Sequence, residues 1–309
     1  MGKTITQHIQ NLVKQGGSLA VKAELDWVTS QQPTFRSFLR AENVPKNRFP
    51  NVILYDHTRV ILRDRLRAHS TYYHASYVDG FMHPRAYVLA QAPNEALRLD
   101  FWRAVMASRT NLIVILTELK DSETQNEISC AFWPPAGETD FYDYPDKNFR
   151  VKCEHISSGK EFDTIEVAVT NHMTKEKRKL RILLYHKWTK DQEVPDTLIN
   201  FLSKVRIIYD QINALNPSVN NYKAPMFVVC ATGVTRSATF AALDICLKRL
   251  VGEGTVNLFD TVRLIRLQRY GSIQHLKHYM FLLDSIVNYS VEHGMIDGSQ
   301  FNFTTFFGQ

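Results

Sequence analysis

The chain of 309 residues has no long uninterrupted apolar stretch. A membrane-crossing helix needs roughly 20 apolar residues in a row, so membrane insertion is not expected. The start, Met1-Gly2-Lys3-Thr4-Ile5-Thr6, lacks the apolar core of a secretory signal. A soluble, cytoplasmic protein is the expectation. Gly2 followed by Thr6 fits the short N-myristoylation pattern, which chance matches often satisfy. Cysteine is scarce: Cys130, Cys153, Cys230 and Cys246 stand far apart without a Cys-x-x-Cys pair. That spacing argues against a disulfide framework and a zinc site, and it suits a reducing compartment. Repeats, low-complexity tracts and Pro/Gly/Ser linkers are absent, which leaves no visible domain boundary. Basic residues exceed acidic ones to give a net charge of +6, but they are dispersed. The one dense run, Lys175-Glu176-Lys177-Arg178-Lys179, reads as a solvated turn between two strands, so nucleic acid is not an expected partner.

Against this plain background one stretch carries chemistry: Val228-Val229-Cys230-Ala231-Thr232-Gly233-Val234-Thr235-Arg236-Ser237-Ala238-Thr239-Phe240. The apolar run Met226 to Val229 reads as a strand, the small residues after Cys230 as a tight loop, and Arg236 onward as a helix. Backbone N–H groups in such a loop, at a helix N-terminus, suit a tetrahedral dianion. Arg236 adds a fork matched to two phosphate oxygens. The same dipoles and the guanidinium favour a thiolate at Cys230, which makes it a nucleophile, with Ser237 placed to hydrogen-bond the departing sulfur. Taken alone, the pattern is equally that of a core cysteine.

The rest of the chain alternates helical and strand patterns. Apolar positions recur at helical spacing over 5–43, through Ile9, Leu12, Val13, Leu19, Leu25 and Val28, with a break at Pro33. Phe101-Trp102 begins a helix, and Asn111 to Thr117 is a short buried strand. Three alternating bursts, Val151 to Ile156, Thr164 to Val169 and Leu180 to Tyr185, predict antiparallel strands. Leu198 to Leu215, Ala238 to Val251 and Val256 to Leu267 have helical periods; the second is expected to be amphipathic and closed by Gly252 and Gly254.

Cys-x5-Arg-Ser at Cys230–Ser237 resembles the phosphate loop of the cysteine-dependent protein tyrosine phosphatases, and ordered matches run from Lys46 to Phe281. Lys46-Asn47-Arg48-Phe49 is similar to the family's phosphotyrosine-recognition loop, with Phe49 in place of the tyrosine that walls the substrate ring. Asn51 stands where the family has the acidic residue that grips the substrate backbone. Tyr73-His74-Ala75-Ser76-Tyr77-Val78-Asp79-Gly80, Gln91-Ala92-Pro93 and Cys130-Ala131-Phe132-Trp133-Pro134 match further segments, read as packing and turn residues. Asp121 has a possible counterpart in the carboxylate that steadies the catalytic arginine. Trp188-Thr189-Lys190-Asp191-Gln192-Glu193-Val194-Pro195 resembles the mobile loop whose aspartate protonates the leaving group. Asp191 takes that place, or is a plain surface aspartate, while Thr189, Lys190 and Glu193 replace the family's Trp, Pro and Gly. Gln274 matches the glutamine that orients the hydrolytic water, and His278 stands where a second glutamine is usual. His275 and His278 lack a nearby carboxylate or cysteine and read as helix surface rather than a metal pair.

The resemblance implies an α/β (α+β) fold: a single tyrosine-phosphatase domain with a central, highly twisted mixed β-sheet flanked by helices. The phosphate loop joins a central strand to a helix. The domain is expected over 46–290, with an N-terminal helical segment over 1–45 packed on it and a tail over 291–309. Catalytic roles fall to Cys230, Arg236, Asp191, Gln274 and Ser237. Substrate binding falls to Phe49, Asn51 and the loop residues Ala231, Thr232, Gly233, Val234 and Thr235. No metal or other cofactor is implied, and the partners are phosphotyrosine-containing proteins, for which a mildly basic surface is suited. Val229 replaces the histidine that precedes the cysteine in the tyrosine-specific family, which bears on thiol ionisation. Gly233, Thr235, Arg236, Ser237, Ala238 and Thr239 fit the loop form of the dual-specificity phosphatases. A short domain with altered catalytic loops also resembles the phosphatases carried by polydnaviruses, the bracoviruses of parasitoid wasps, which implies an effector in host cytoplasm acting on immune signalling. Two functions stay open: an enzyme of weakened activity, and a pseudophosphatase that binds and shields phosphotyrosine.

Overall fold

A computed structural model describes residues 33–63, 70–120, 128–142, 147–189, 193–215 and 223–300. The helices expected before residue 33, and both Asp121 and Asp191, lie outside these ranges.

Among the described residues nine strands form one mixed sheet: β1 (Arg59–Ile61), β2 (Tyr72–Gly80), β3 (His83–Gln91), β4 (Leu112–Ile115), β5 (Thr139–Tyr142), β6 (Phe149–Ser157), β7 (Phe162–Asn171), β8 (Glu176–Tyr185) and β9 (Met226–Cys230). Their order across the sheet is β1-β2-β3-β9-β4-β8-β7-β6-β5. The middle strands β3, β9, β4 and β8 are parallel, and antiparallel pairs extend both flanks. Leu112–Ile115 and Met226–Cys230 are apolar throughout because both faces of these central strands are covered. In β6 the pattern instead alternates, with Phe149, Val151 and Cys153 buried and Arg150 and Glu154 exposed.

Among the described residues six α-helices flank the sheet: α1 (Arg36–Leu39), α2 (Arg98–Ser108), α3 (Leu198–Leu215), α4 (Arg236–Glu253), α5 (Leu258–Gln268) and α6 (Leu276–Glu292). Among the described residues, the two larger of three core clusters lie on opposite faces of the sheet. On one face Phe201 of α3, Leu243 of α4, Val262 of α5 and Leu282 of α6 pack with Val228 and Leu183. On the other, Phe101 and Trp102 of α2 pack with Phe132, Phe227 and Val229. Alternation along β9 therefore sends Cys230 to the side of α3–α6 and Val229 to the side of α2.

The antiparallel strands over 149–185 and the helix over 198–215 match the sequence patterns. Three expectations are corrected. The segment Tyr73–Gly80, read as packing and turn residues, does pack, with Tyr73, Ala75 and Val78 buried, but it is a sheet strand rather than a turn, paired with β3, the neighbour of β9. Helix α4 is not amphipathic: Ser237 through Leu247 are all buried, because sheet and helices surround its first turns, and it runs through Gly252 to end at Gly254. The basic run at 175–179 occupies the turn only at Lys175; from Glu176 it is part of β8.

Candidate active site

Strand β9 ends at Cys230 and α4 begins at Arg236, so residues 231–235 must reverse the chain in a tight space. Gly233 makes this possible, with φ +74° and a backbone so close to β3 that a Cβ would lie 2.5 Å from Ala90 C and 2.6 Å from Gln91 N. The loop closes around the Cys230 sulfur: the Gly233 N–H donates to Sγ at 3.2 Å, and the Ser237 hydroxyl lies 3.3 Å away. Burial opposes ionisation of this thiol. The Ser237 hydroxyl and N–H, the Arg236 guanidinium and the Gly233 N–H together outweigh burial and hold the thiol below its ordinary value. Cys246, equally buried farther along α4, is the internal contrast. There burial dominates, Thr261 and Arg249 offset it only in part, and the thiol is pushed up to about 12. Of these two cysteines, the loop favours the thiolate at Cys230 alone.

A second arginine braces the loop from behind. Arg269, with no exposed surface, donates to Gly233 O at 3.1 Å, Thr232 O at 3.3 Å and Ser76 Oγ at 3.3 Å. Its remaining partner is His74 Nδ1 at 2.9 Å, while His74 Nε2 donates to Val52 O at 2.8 Å. That tautomer requires a neutral ring. Burial first, then the Arg269 charge, lowers His74 to about 3. The sign of the pH dependence follows: unfolded histidine titrates near 6.5, so between about 6.5 and 3 the unfolded chain binds the extra proton. Stability from this site is complete above pH 6.5 and is lost as pH falls toward 3, by up to roughly 4 kcal/mol. Urea midpoints measured from pH 7 to 4 are expected to drop, and His74→Asn, which keeps an acceptor for Arg269, is expected to flatten the drop; an unchanged slope would refute this assignment.

The segment bearing Gln274 is attached to the same loop. Ile273 N–H donates to Val234 O at 3.0 Å, and Arg266 binds Ser272 O and Ile273 O, each at 2.7 Å. Ile273 adopts φ +55°, a strained conformation for a β-branched residue, held by these bonds and by complete burial. Gln274 itself is exposed.

The Lys46–Phe49 segment is fixed from several sides. Lys46 Nζ pairs with Asp100 at 2.5 Å, Asn47 accepts from Tyr72 OH at 2.5 Å, and Arg48 Nη1 donates to Ala92 O at 2.7 Å. Ala92 N–H in turn donates to Cys230 O at 2.9 Å, which links the Lys46–Phe49 segment to the cysteine. Phe49 is half-buried under the Arg48 guanidinium, whereas Asn51 is an exposed turn residue.

Arg236 reaches across to the segment before Asp191. Its Nη2 donates to Thr189 O at 2.7 Å and its Nη1 to Leu116 O at 3.1 Å, and the guanidinium lies 5.7 Å from the Trp188 ring. Trp188 is buried and packs against His278.

Cys230, Ala231–Thr235, Arg236 and Ser237 are thus contiguous around one loop, and the segments of Phe49 and Gln274 are bonded to it. His278, expected on the helix surface, is 4% exposed. Arg269, Arg266 and His74 were not singled out by sequence; the one signal for Arg269 was its place within the ordered matches from Lys46 to Phe281, shortly before Gln274. Among the described residues no cluster of three His, Cys, Asp or Glu could hold a metal, and no helix is long and apolar enough to cross a membrane.

Comparison with known proteins agrees with this geometry. The protein-tyrosine phosphatase family model matches residues 43–288. The chain is 30% identical over 260 residues to a probable tyrosine phosphatase protein N1 of Microplitis demolitor bracovirus, covering 83% of this chain and 76% of that protein. It is 31% identical over 294 residues to the Gallus gallus receptor-type tyrosine-protein phosphatase S, covering 92% of this chain but 18% of the receptor. For the Bos taurus receptor-type tyrosine-protein phosphatase F the figures are 32% over 270 residues, 83% and 13%. The chain therefore spans most of the viral relative and a small part of the receptors. With a cysteine, an arginine and a serine arranged around one loop between β9 and α4, and a family match over most of its length, the chain belongs to the protein-tyrosine phosphatase family.

Proposed function

We propose that the chain hydrolyses phosphotyrosine on proteins through a phosphocysteine intermediate. The observation that carries this reading is the Cys230 sulfur enclosed by its loop, with the Gly233 N–H at 3.2 Å and the Ser237 hydroxyl at 3.3 Å, groups that hold the thiol below its ordinary value while burial pushes that of Cys246 up. In the first step the Cys230 thiolate attacks phosphorus and the P–O bond to tyrosine breaks. The N–H groups of Ala231–Thr235 and the Arg236 fork take the phosphoryl oxygens. Asp191 gives its proton to the tyrosyl oxygen. In the second step water oriented by Gln274 attacks phosphorus, Asp191 takes back a proton, and the P–S bond breaks to return a thiolate stabilised by Ser237. Phe49 forms the wall against the substrate ring, and Asn51 contacts the peptide backbone. Residues 46–290 act as the phosphatase unit with the segments before and after it as appendages.

The resemblance to the bracovirus protein supports a finer reading, an effector in host cytoplasm that removes phosphate from immune-signalling proteins. A second reading, a pseudophosphatase that shields phosphotyrosine, is favoured by the altered Trp188–Pro195 segment and by Val229, whose apolar side chain faces the α2 core. Rapid mixing with p-nitrophenyl phosphate separates the two. The enzyme releases one equivalent of nitrophenol per Cys230 in a burst and then turns over. Phosphotyrosine-peptide binding without any burst would establish the shielding role instead.

A further inference from the structure

His278 is a buried polar side chain that the proposed steps do not use. It lies in the first turn of α6, 4% exposed, and its Nδ1 has no hydrogen-bond partner among the described residues. An orphaned polar atom opposes burial, so a position that served packing alone would favour an apolar residue. The ring does have a specific neighbour. It meets Trp188 with centroids 5.9 Å apart and planes at 61°. Trp188 in turn carries Arg236 over its ring, and Arg236 binds Thr189 O, two residues before Asp191. A continuous series of contacts thus runs from α6 through Trp188 to the phosphate-loop arginine and the root of the Asp191 segment.

We propose that His278 is a positioning residue for the proton-transfer step: it seats Trp188, and Trp188 sets the contact of Arg236 with Thr189, two residues before Asp191. The inference rests on the reading of the chain as a phosphatase. Burial acts on the imidazole first, followed by His275 and Lys277 on its own helix and Arg236 from α4, and together they lower it to about 4. The ring is therefore neutral at pH 7. When pH falls through about 4 it becomes a second cation beside the indole that already holds Arg236, and the seat weakens. A glutamine at this place could fill the space but could not titrate.

The test uses His278→Ala, His278→Gln and Trp188→Phe in the full chain, with two aryl phosphates as probes. One is phenyl phosphate, whose leaving group needs a proton; the other is a fluorinated methylumbelliferyl phosphate, whose leaving group does not. His278→Ala is expected to lower kcat for phenyl phosphate roughly 10- to 100-fold, since displacement of a catalytic group by about 1 Å has effects of that order. Its kcat for the fluorinated ester and both KM values should stay within about twofold. His278→Gln should restore part of the loss. Independently, tryptophan fluorescence of the wild type should titrate near pH 4, and that transition should vanish in His278→Gln and in Trp188→Phe. Equal losses for both esters, or a fluorescence transition that persists in His278→Gln, would overturn the proposal. If the wild type cleaves neither ester, the phosphatase reading fails by itself, and the fluorescence transition alone then decides whether His278 seats Trp188.

Discussion

Replacing Cys230 by Ser is expected to abolish phosphate release, by about 10⁴-fold or more, while leaving phosphotyrosine-peptide affinity within a few-fold of wild type. The asymmetry follows from where each task resides. Attack on phosphorus needs a sulfur whose ionisation is supported by Ser237, Arg236 and Gly233, and a serine hydroxyl in the same place stays protonated. The groups proposed to bind the dianion, the loop N–H groups and Arg236, are untouched by the exchange. Turnover measured with p-nitrophenyl phosphate and affinity measured by calorimetry with a phosphotyrosine peptide give the two numbers. Turnover above about 1% of wild type would place the nucleophile elsewhere, and a loss of affinity as large as the loss of rate would place the sulfur itself in the binding cradle.

Arg269→Met has the next largest expected effect, on stability and on the thiol together. Arg269 is a fully buried cation whose acceptors among the described residues, none of them a carboxylate, are the Gly233 and Thr232 carbonyls, Ser76 Oγ and His74 Nδ1. Burial lowers it to about 10, so it remains charged at pH 7. Methionine fills much of the volume but leaves these acceptors without donors, at about 1–3 kcal/mol each. Relief from burying a charge offsets part of that sum. A net loss of roughly 2–4 kcal/mol in urea unfolding is expected. Without the brace, the Gly233 N–H loses its fixed aim at the sulfur, and Cys230 alkylation by iodoacetamide should shift its pH midpoint upward. An unfolding midpoint and an alkylation profile both equal to wild type would show that the brace is idle.

The parts of the molecule that could be read from the sequence are those whose physics is local. Strand β6 and the outer parts of β7 and β8 declared themselves because one face is less buried than the other, which forces alternation over a few residues, whereas Val167–Val169 and Ile182–Tyr185 are buried on both faces. Helix α3 did so through its period, and the turn from β9 into α4 through small residues around one glycine that no other residue could replace. The grouping of Cys230, Arg236 and Ser237 was legible for the same reason, since all three lie within one short stretch.

Elements β2 and β3 were not read as strands, because buried polar residues such as His74, Ser76 and Gln91 blur the apolar pattern. Those residues are tolerated inside only since Arg269, some two hundred positions later, satisfies two of them. Helix α4 was misread because its polar-looking residues are covered by elements from every side, and only their arrival in space makes Ser237, Thr239 and Asp244 interior. His278 was misplaced on a surface for the same reason: i, i+3 spacing states which residues share a helix face, not what that face meets, and what it meets is Trp188. The sequence by itself determined the strand–loop–helix arrangement that brings Cys230, Arg236 and Ser237 together, because that depends on local backbone conformation and neighbouring side chains. The tertiary structure decided the second arginine behind the loop, the neutral histidine that faces it and the contacts from α6 to Arg236. Each of these joins segments far apart in the chain, and their hydrogen bonds and burial exist only once the sheet and helices have closed around them.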